Sequence, residues 1–394
     1  MKKFLITLLI IILFVASTFL GYMYSKNKDL GGSKEYEEGS NLGEPTKETD
    51  TTNKSQLEEI ALAKAKKLLE TMTLEEKVGQ MFFARCRKDT AISDLTNYSL
   101  GGFILFDANI RDENKESLAN TITSYQSASK IPMLIAVDEE GGTVNRLSNY
   151  LAFRGVPFKS PRELYEIGGF QTIKDDTKEK AELLLSLGIN MNLAPVADVS
   201  TKSSDYIHDR TFGDNSKEAS EYVTLVVKAM KENNIGSALK HFPGYGDNKD
   251  THKGLSIDER SYKSFKNSDF LPFIAGIKAG ASSILVSHNI IKSIDEDLPA
   301  SLSPKVNKII REDLEFNGVV VTDDLQMDAI KEYIGDTNSA VLAVIAGNDL
   351  LIASDFDIQI PSVLEAVNNG EITEERINES VLRILYCKID LGII

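Results

Sequence analysis

Cysteine and histidine are scarce in this chain of 394 residues. There are two cysteines, Cys86 and Cys387, and four histidines. None of them stands in the close His/Cys spacing that holds a zinc ion, so we expect no metal site. A disulfide between the two cysteines is possible if the protein is exported, but two buried free thiols are at least as well supported.

Basic charge is also limited. The chain has 44 lysines and arginines against 59 aspartates and glutamates, which gives a net charge of -15. Nucleic-acid binding requires a basic face that contacts the phosphates, so we expect no nucleic-acid partner. The same charge gives no support for an electrostatic anchor on acidic lipids.

Several familiar binding and catalytic motifs are missing. Gly244 and Gly246 have neither the third glycine of a dinucleotide-binding loop nor the Gly-Lys-Ser/Thr of a P-loop. No Gly-x-Ser-x-Gly turn exposes a nucleophilic serine. We therefore expect no cofactor, and the candidates for chemistry are carboxylates and histidines.

The N-terminus contains a long apolar run. Lys2 and Lys3 precede an uncharged stretch from Phe4 to about Tyr24, which is long enough to span a bilayer and longer than the core of a usual signal peptide. The lysines favour a cytoplasmic N-terminus. Residues 1–24 are therefore predicted to be a retained signal-anchor, with a cleaved signal peptide or a buried helix as alternatives. The protein is expected to be extracytoplasmic, to contact the membrane through this segment only, and to be secreted if the segment is cleaved.

The stretch 25–55 has a different composition from the run before it. It is rich in Lys, Glu, Gly, Ser and Thr and has almost no large apolar residues. Such a segment cannot bury enough surface to fold by itself, so it is predicted to be a flexible polar linker. The globular part is predicted to be a single domain over residues 56–394.

Short apolar runs alternate with amphipathic ones through this globular part. The predicted strands are 102–106, 132–137, 191–195, 235–239, 283–287, 318–322 and 349–352. The predicted helices are 178–187, 217–233, 304–314, 339–346 and 360–368. Strand–helix alternation implies a parallel sheet with helices outside it. Its repetition favours a (β/α)8 barrel of the TIM type over an open doubly wound sheet.

Polar residues follow several of the predicted strands. Asp138, the pair Lys240 and His241, and Asp323 each come directly after an apolar run. The carboxyl ends of barrel strands share one mouth, so these residues predict a carboxylate-rich pocket there. Taken alone, Asp323 could equally be the N-cap of the following helix.

The loop 240–252 contains two of the four histidines. It bends at Pro-Gly-Tyr-Gly and ends on Asp250-Thr-His252. A neighbouring carboxylate can orient an imidazole, whose ordinary pKa of about 6.5 lets it give and retake a proton near neutrality. Alone, this pair would more often be a surface turn than a catalytic pair. Close to Asp323, the histidine becomes a candidate general acid/base.

Several motifs occur in a characteristic order along the chain. They are Met-Thr-Leu-Glu-Glu-Lys-Val-Gly-Gln-Met at 72–81, Asp-Glu-Glu-Gly-Gly-Thr-Val-Asn-Arg at 138–146, Asn-Leu-Ala-Pro-Val-Ala-Asp-Val at 192–199, Asp-Arg-Thr-Phe-Gly at 209–213, the loop 240–252, and Val-Thr-Asp-Asp-Leu at 321–325. These motifs and their order resemble those of glycoside hydrolase family 3. Within this family, they resemble most the motifs of the bacterial β-N-acetylglucosaminidases of the NagZ type. The resemblance implies that the domain 56–394 is a catalytic barrel.

The resemblance also implies a role for each matching residue. Asp323 matches the nucleophile, which forms a covalent glycosyl-enzyme. His252 matches the acid/base, and Asp250 matches the residue that orients it. The matches to substrate-binding positions are Asp138, Arg146, Arg210, Lys240 and His241. Asp198 and His288 are expected to shape the pocket.

Two residues depart from the family pattern. Tyr245 stands where the family usually has a histidine, and Thr143 stands where it usually has an arginine. Neither change removes a residue of the expected chemistry. Both bear on subsite packing and on the choice of aglycone.

The function that the resemblance implies is hydrolysis of a carbohydrate substrate. We expect a monomeric, retaining exo-β-N-acetylglucosaminidase that removes terminal β-linked N-acetylglucosamine from peptidoglycan-derived glycans, such as muropeptides or cell-wall fragments. A β-N-acetylglucosaminide phosphorylase and a β-glucosidase of the same family are alternatives. A non-catalytic wall-sugar-binding protein is another, but it would be expected to have lost Asp323, Asp250 or His252, and all three are present.

Overall fold

Short parallel strands form the centre of the structure. The computed structural model describes residues 47–248, 254, 256–334 and 338–394, and Leu57–Ile394 form one compact unit. The strands are β1 (Phe82–Arg85), β2 (Gly102–Ile104), β3 (Leu134–Val137), β4 (Met191–Asn192), β5 (Gly236–Phe242), β6 (Ile257–Asp258), β7 (Ser283–Val286), β8 (Ile290–Ile291), β9 (Val319–Thr322) and β10 (Leu351–Ala353). Strands β6 and β8 form a separate two-stranded sheet.

The other strands close into a barrel. Their order is β10-β1-β2-β3-β4-β5-β7-β9, and neighbouring strands are parallel. The two ends of this order meet through a parallel bridge between Val321 and Leu350, with a hydrogen bond of 3.1 Å from the Leu350 amide to the Val320 carbonyl oxygen. The predicted (β/α)8 barrel is therefore confirmed, and the alternative of an open doubly wound sheet is wrong.

Helices alternate with the barrel strands along the chain. They are α1 (Lys47–Leu69), α2 (Leu74–Gln80), α3 (Ala91–Tyr98), α4 (Asp107–Ile110), α5 (Lys115–Ala128), α6 (Pro161–Ser186), α7 (Ser216–Glu232), α8 (Tyr262–Asn267), α9 (Phe270–Ala279), α10 (Pro304–Lys308), α11 (Asp328–Ile334), α12 (Ser339–Ala346), α13 (Phe356–Asn368) and α14 (Glu374–Asp390). In α7, Val223, Val227 and Met230 are buried, and this spacing of three to four residues places them on one face.

The sequence accounts for these elements in simple terms. All four residues of β3, Leu-Ile-Ala-Val, are buried, as expected for a parallel strand that is covered on both faces. Helix α6 begins with Pro161 after Ser160, whose side chain accepts a hydrogen bond from the Glu163 amide. A serine cap followed by proline is a favourable helix start, because the first amides have no partner within the helix.

Each predicted strand is present with shifted ends. Three described strands were not predicted: β1 of the barrel, and β6 and β8 of the two-stranded sheet. The run predicted at 235–239 continues in β5 through two charged or polar residues to Phe242. The helix predicted at 304–314 is α10 followed by a π-helical turn over Ile309–Asp313.

The N-terminal predictions fall largely on residues that are not described. The predicted signal-anchor 1–24 lies outside the described residues, and so does most of the predicted linker 25–55, inside which α1 begins at Lys47. Among the described helices, none is both long and apolar enough to cross a bilayer. Cys86 and Cys387 are buried free thiols, so of the two alternatives the disulfide is excluded.

Candidate active site

A pocket with a volume of about 370 Å³ opens at the carboxyl ends of the barrel strands. Its wall brings together residues that follow or end several strands. Six of its members are Asp138, Arg146, Arg210, Lys240, His241 and Asp323. They comprise the residue that matches the nucleophile and all of the residues that match substrate-binding positions. These residues are far apart in the sequence and line one cavity in the structure.

The end of β5 supplies two neighbouring pocket residues. In a regular strand, the side chains of consecutive residues point to opposite faces. The pairing of β5 with β7 shifts between Lys240 and Phe242, and such an irregularity re-aims a side chain. Lys240 and His241 therefore both reach the pocket, although they are adjacent in the sequence.

A network of buried charges surrounds the ammonium group of Lys240. Its Nζ lies 2.7 Å from Asp138 Oδ1 and 2.6 Å from Glu140 Oε1. Glu140 also accepts hydrogen bonds from Arg210, at 3.0 Å from Nε and 2.8 Å from Nη2. This two-pronged geometry is the strong form of an arginine–carboxylate pair. It fixes both cations against the pocket wall.

The pKa values in this network follow from its charges. Burial raises the pKa of Glu140, but the charges of Arg210 and Lys240 outweigh burial and hold this pKa well below its ordinary value. Burial lowers the pKa of Lys240, and Asp138 and Glu140 raise it by more. Both groups therefore stay ionised, so the pocket presents fixed cationic donors to the oxygen atoms of a ligand.

His241 is held from two sides. Asp198, which is 1% exposed, lies 2.8 Å from His241 Nδ1 and accepts a hydrogen bond of 3.1 Å from the His241 amide. On the other side of the ring, Arg210 Nη2 lies 3.2 Å from Nε2. Because the guanidinium can only donate, Nε2 is the acceptor and the proton is on Nδ1. Asp198 thus holds His241, which lines the pocket, without lining the pocket itself.

The turn after β3 is built around a second buried carboxylate. Glu139 is fully buried and accepts hydrogen bonds from the amides of Arg146 at 2.9 Å and Leu147 at 2.7 Å. This brings the Arg146 guanidinium to 3.4 Å from Asp138 Oδ2. Arg146 Nε is buried and has no hydrogen-bond partner among the described residues, while the side chain as a whole is 31% exposed and lines the pocket.

Asp323 and Asp324 stand together where β9 ends. The Asp323 amide continues the barrel ladder with a hydrogen bond of 2.9 Å to the Val286 carbonyl oxygen. The Asp324 amide donates to Asp323 Oδ1 at 2.8 Å. Burial raises the pKa of Asp324, and the negative charge of Asp323 raises it further. Asp323 is therefore anchored on a rigid strand end, as a nucleophilic carboxylate requires.

The remaining predicted residues have different outcomes. Asp250 and His252 lie outside the described residues, so their proposed pairing stays a prediction. His288 is fully buried and lies 2.7 Å from Ser301 Oγ and 2.9 Å from the Asp324 carbonyl oxygen. His288 therefore connects Ser301 to the backbone of Asp324, a residue of the pocket wall.

The two departures from the family pattern lie in different places. The Tyr245 ring is 2% exposed and packs edge-on against His241, with ring centroids 5.3 Å apart. Thr143 is exposed in the turn joined by the Gly141–Val144 bridge. Tyr245 therefore acts on the pocket through His241, whereas Thr143 does not line the pocket.

Other pocket residues were not predicted from the sequence. Tyr206 and Phe106 line the cavity, and the Arg85 guanidinium lies over the Phe106 ring at 4.3 Å. Glu140 was part of a recognised motif but had no assigned role. Its signal is the run of three acidic residues, Asp138 to Glu140, directly after β3, since buried carboxylates are rare unless they are paired.

The fold and the pocket define the class of protein. A closed (β/α)8 barrel with a charged pocket at the carboxyl ends of its strands has the architecture of the TIM-barrel enzymes. Residues 73–387 match the family described as Glycosyl hydrolase family 3 N terminal domain. Because this match covers most of the chain, the chain belongs to glycoside hydrolase family 3.

Individual relatives agree with this assignment. The chain is 32% identical over 269 residues to a protein named Beta-hexosaminidase from Nitrosomonas eutropha, which covers 67% of this chain and 76% of that protein. It is 29% identical over 325 residues to Beta-hexosaminidase A of Pseudoalteromonas piscicida, covering 75% of this chain and 54% of that protein.

A solved structure is also similar. It is a glycoside hydrolase family 3 beta-N-acetylglucosaminidase from Paenibacillus sp. str. FPU-7, with a TM-score of 0.77 and 30% identity over 82% of this chain and 63% of that chain. The chain thus spans about half the length of the Pseudoalteromonas protein and under two thirds of the Paenibacillus one.

Proposed function

We propose that this chain is a retaining exo-β-N-acetylglucosaminidase that removes terminal β-linked N-acetylglucosamine. One observation carries the proposal. Asp323 shares a pocket with Asp138, Lys240 and Arg210, and both of these cations pair with the buried Glu140, in a chain of glycoside hydrolase family 3. The names of the Nitrosomonas and Paenibacillus relatives support the choice of an N-acetylhexosamine as the sugar.

The proposed first step forms a glycosyl-enzyme. His252, as an imidazolium, donates its proton to the glycosidic oxygen while the Asp323 carboxylate attacks the anomeric carbon. The bond from carbon to the leaving oxygen breaks, an ester to Asp323 forms, and the aglycone departs with the proton. Asp250 orients the imidazole and stabilises its charge, in the way an aspartate does in a serine-protease triad.

The proposed second step releases the sugar. Neutral His252 takes a proton from a water molecule, whose oxygen attacks the anomeric carbon and displaces Asp323. Two inversions at one carbon leave its configuration retained. Lys240, His241, Asp138 and Arg146 hold the sugar hydroxyl groups, and the fixed charges of the network need no rearrangement as positive charge develops on the sugar ring.

The natural substrate and location are part of the same proposal. We propose peptidoglycan-derived glycans as substrate and an extracytoplasmic position, with the apolar run 1–24 as the membrane anchor or signal peptide. The support is the sequence of that run, since two lysines precede it and no charge interrupts it. Fractionation of cells that express the full chain tests the location.

Activity is tested with a chromogenic aryl β-N-acetylglucosaminide. The wild type should release the chromophore, proton NMR should show the β-anomer of the free sugar first, and Asp323→Asn should abolish release. Absence of release by a folded wild-type protein would end the proposal. Sugar binding without turnover would instead favour a non-catalytic wall-sugar-binding protein.

Two related activities are separated by the same assay. A relative from Cellulomonas fimi, 25% identical over 351 residues, is named Beta-N-acetylglucosaminidase/beta-glucosidase, so glucoside and N-acetylglucosaminide should be compared by kcat/KM. A histidine acid/base places no anionic side chain against phosphate. The assay should therefore be repeated with phosphate, and formation of a sugar 1-phosphate would identify a phosphorylase.

A further inference from the structure

Arg260 is not part of the pocket wall, yet it joins three separate parts of the chain. It follows β6, and its Nε and Nη2 donate to Asp258 Oδ2 at 2.9 and 2.7 Å. Its Nη1 donates to Asp269 Oδ1 at 2.7 Å, and Nη2 also donates to the Gly244 carbonyl oxygen at 3.0 Å. One guanidinium group therefore connects the backbone after β5, the end of β6 and the start of α9.

These contacts fix both ends of the segment 244–258. Near the first end, Asn248 Nδ2 donates to Asp258 Oδ2 at 2.5 Å and to the Tyr245 carbonyl oxygen at 2.8 Å. The second end pairs as β6 with β8, and the Ile290 amide donates to the Ser256 carbonyl oxygen at 2.9 Å. The two ends thus meet each other and the strand that follows β7.

Electrostatics holds Arg260 in this position. Asp258 and Asp269 are each 2% exposed, and buried carboxylates require cationic partners. Burial raises the pKa of Asp269 to about 6, against the attraction of Arg260. Burial lowers the pKa of Arg260, but the two carboxylates raise it by more. Among the described residues, Arg260 is the cation that pairs with both Asp258 and Asp269, so removing its guanidinium would leave both buried carboxylates without that partner.

The glycines of the Pro-Gly-Tyr-Gly bend belong to the same arrangement. A Cβ atom on Gly246, which has φ +55, would lie 2.5 Å from Arg260 Cζ. A Cβ atom on Gly244, with φ +122, would lie 2.6 Å from Asp269 Oδ1. Only residues without a side chain let the backbone approach the guanidinium and its carboxylate this closely.

We propose that Arg260 is a positioning residue, which acts through the described residues on either side of Asp250 and His252. In the sequence, Asp250 and His252 lie between Asn248 and Ser256. Asn248 donates to Asp258, the partner of Arg260, and Ser256 directly precedes the strand β6 that ends at Asp258. The proposal rests on the proposed function, in which His252 protonates the leaving oxygen. Loss of the Arg260 contacts should therefore impair proton donation, whereas attack by Asp323, which is anchored on β9, should be little affected.

The dependence of rate on the leaving group separates these two effects. A dinitrophenyl leaving group departs without protonation, whereas a phenyl group needs it. The quantity to compare is kcat/KM, because it reports only the steps through formation of the glycosyl-enzyme. For Arg260→Lys and Arg260→Met, kcat/KM should fall about 100-fold with the phenyl substrate, within the range of general acid catalysis. It should change by less than about threefold with the dinitrophenyl substrate.

Arg311→Lys is the matched control. Arg311 also pairs with a buried carboxylate, that of Asp349, and donates to the Phe316 and Gly318 carbonyl oxygens. These residues precede β9 and β10, at the end of the barrel away from the pocket. The control should lower Tm, and both substrates should be affected by the same factor.

The possible results distinguish a failure of the positioning role of Arg260 from a failure of the proposed function. Equal losses on both substrates in the Arg260 variants would overturn the positioning role, and so would unchanged rates. A wild type that is inactive even on the dinitrophenyl substrate would instead overturn the proposed function. If the Arg260 variants do not fold, Asp269→Asn replaces them, because it leaves Arg260 in contact with Asp258 and Gly244. It should show the same selective loss to a smaller degree, and equal losses would again overturn the role.

Discussion

Lys240 and Glu140 form a salt bridge with 2.6 Å between Nζ and Oε1, and their side chains are 3% and 4% exposed. Charges this deeply buried are stable only as a matched set. Glu140 also pairs with Arg210, and Lys240 also pairs with Asp138. The set therefore has two cations and two carboxylates, and the loss of one member leaves an uncompensated charge at the pocket.

Replacement of Glu140 by glutamine should be strongly destabilising. Glutamine cannot neutralise Lys240 and Arg210, and breaking a buried pair costs about 3 to 5 kcal/mol of unfolding free energy. The measurement is urea denaturation of wild type and variant at pH 7. Glu179→Gln is the control, since Glu179 pairs with Arg154 but is 53% exposed and its loss should cost less than about 1 kcal/mol. Equal effects of the two changes would contradict the prediction.

The destabilisation by Glu140→Gln should also depend on pH. The pKa of Glu140 in the folded protein lies well below its ordinary value of 4.5. The unfolded chain then takes up the proton first as pH falls, so the stabilisation is fully present above about pH 4.5 and is lost below it. The free-energy gap between wild type and variant should therefore shrink from pH 7 to pH 3.5. A constant gap would mean that the carboxylate charge is not its source.

Tyr245→His, which restores the residue usual in the family, should destabilise this protein. The tyrosine ring packs in a buried cluster with Val196 and Ile207, and a smaller polar ring would leave space there. The expected cost is about 2 to 3 kcal/mol, as for other large-to-small changes in a core. Thermal denaturation measures it, and Tyr245→Phe, which keeps the ring and removes only the hydroxyl, separates the contribution of the ring from that of the hydroxyl. A histidine variant as stable as wild type would refute this account.

Both cysteine thiols should be unreactive in the folded protein. Burial raises the pKa of Cys86 to about 11 and the pKa of Cys387 to about 12, and the reactive species is the thiolate. A thiol reagent at pH 8 should label neither residue until denaturant is added, and should then label both. Rapid labelling of either one without denaturant would show that its side chain is accessible.

The barrel strands were predictable from sequence because their burial on both faces produces continuous apolar runs. Strand β1 was missed because it follows α2 with only Met81 between them, and no glycine or proline separates the two patterns. Strand β5 was predicted too short because Lys240 and His241 look like a strand end. They remain in the strand because Asp138, Glu140 and Asp198 neutralise or orient them.

The site was predictable where one residue sits at a strand end, and less so where two distant residues meet. Asp138 and Asp323 could be placed at the mouth of a barrel from the runs before them. The partnership of Glu140 with Arg210 spans 70 residues, and no local pattern in the sequence encodes it. The same holds for Arg260, whose contacts reach back to Gly244 and forward to Asp269.

Lys388 should make the protein more stable as the pH rises above neutrality. It is fully buried, and its Nζ donates to Gln80 Oε1 at 2.7 Å. Burial lowers its pKa from 10.5 to about 7, so between these values the unfolded chain binds a proton that the folded protein does not. Stability contributed by this group therefore increases with pH across that window.

The change Lys388→Met isolates this effect. The Met variant lacks the titrating group, so its unfolding free energy relative to wild type should fall by about 1.4 kcal/mol per pH unit between pH 7 and pH 9. Urea denaturation across this range measures the difference, and other groups cancel because they titrate in both proteins. For the control Lys228→Met, on an exposed face of α7, the unfolding free energy relative to wild type should not change with pH. If the unfolding free energy of Lys388→Met relative to wild type also did not change with pH, the buried amine would have to remain protonated in the folded protein up to pH 9.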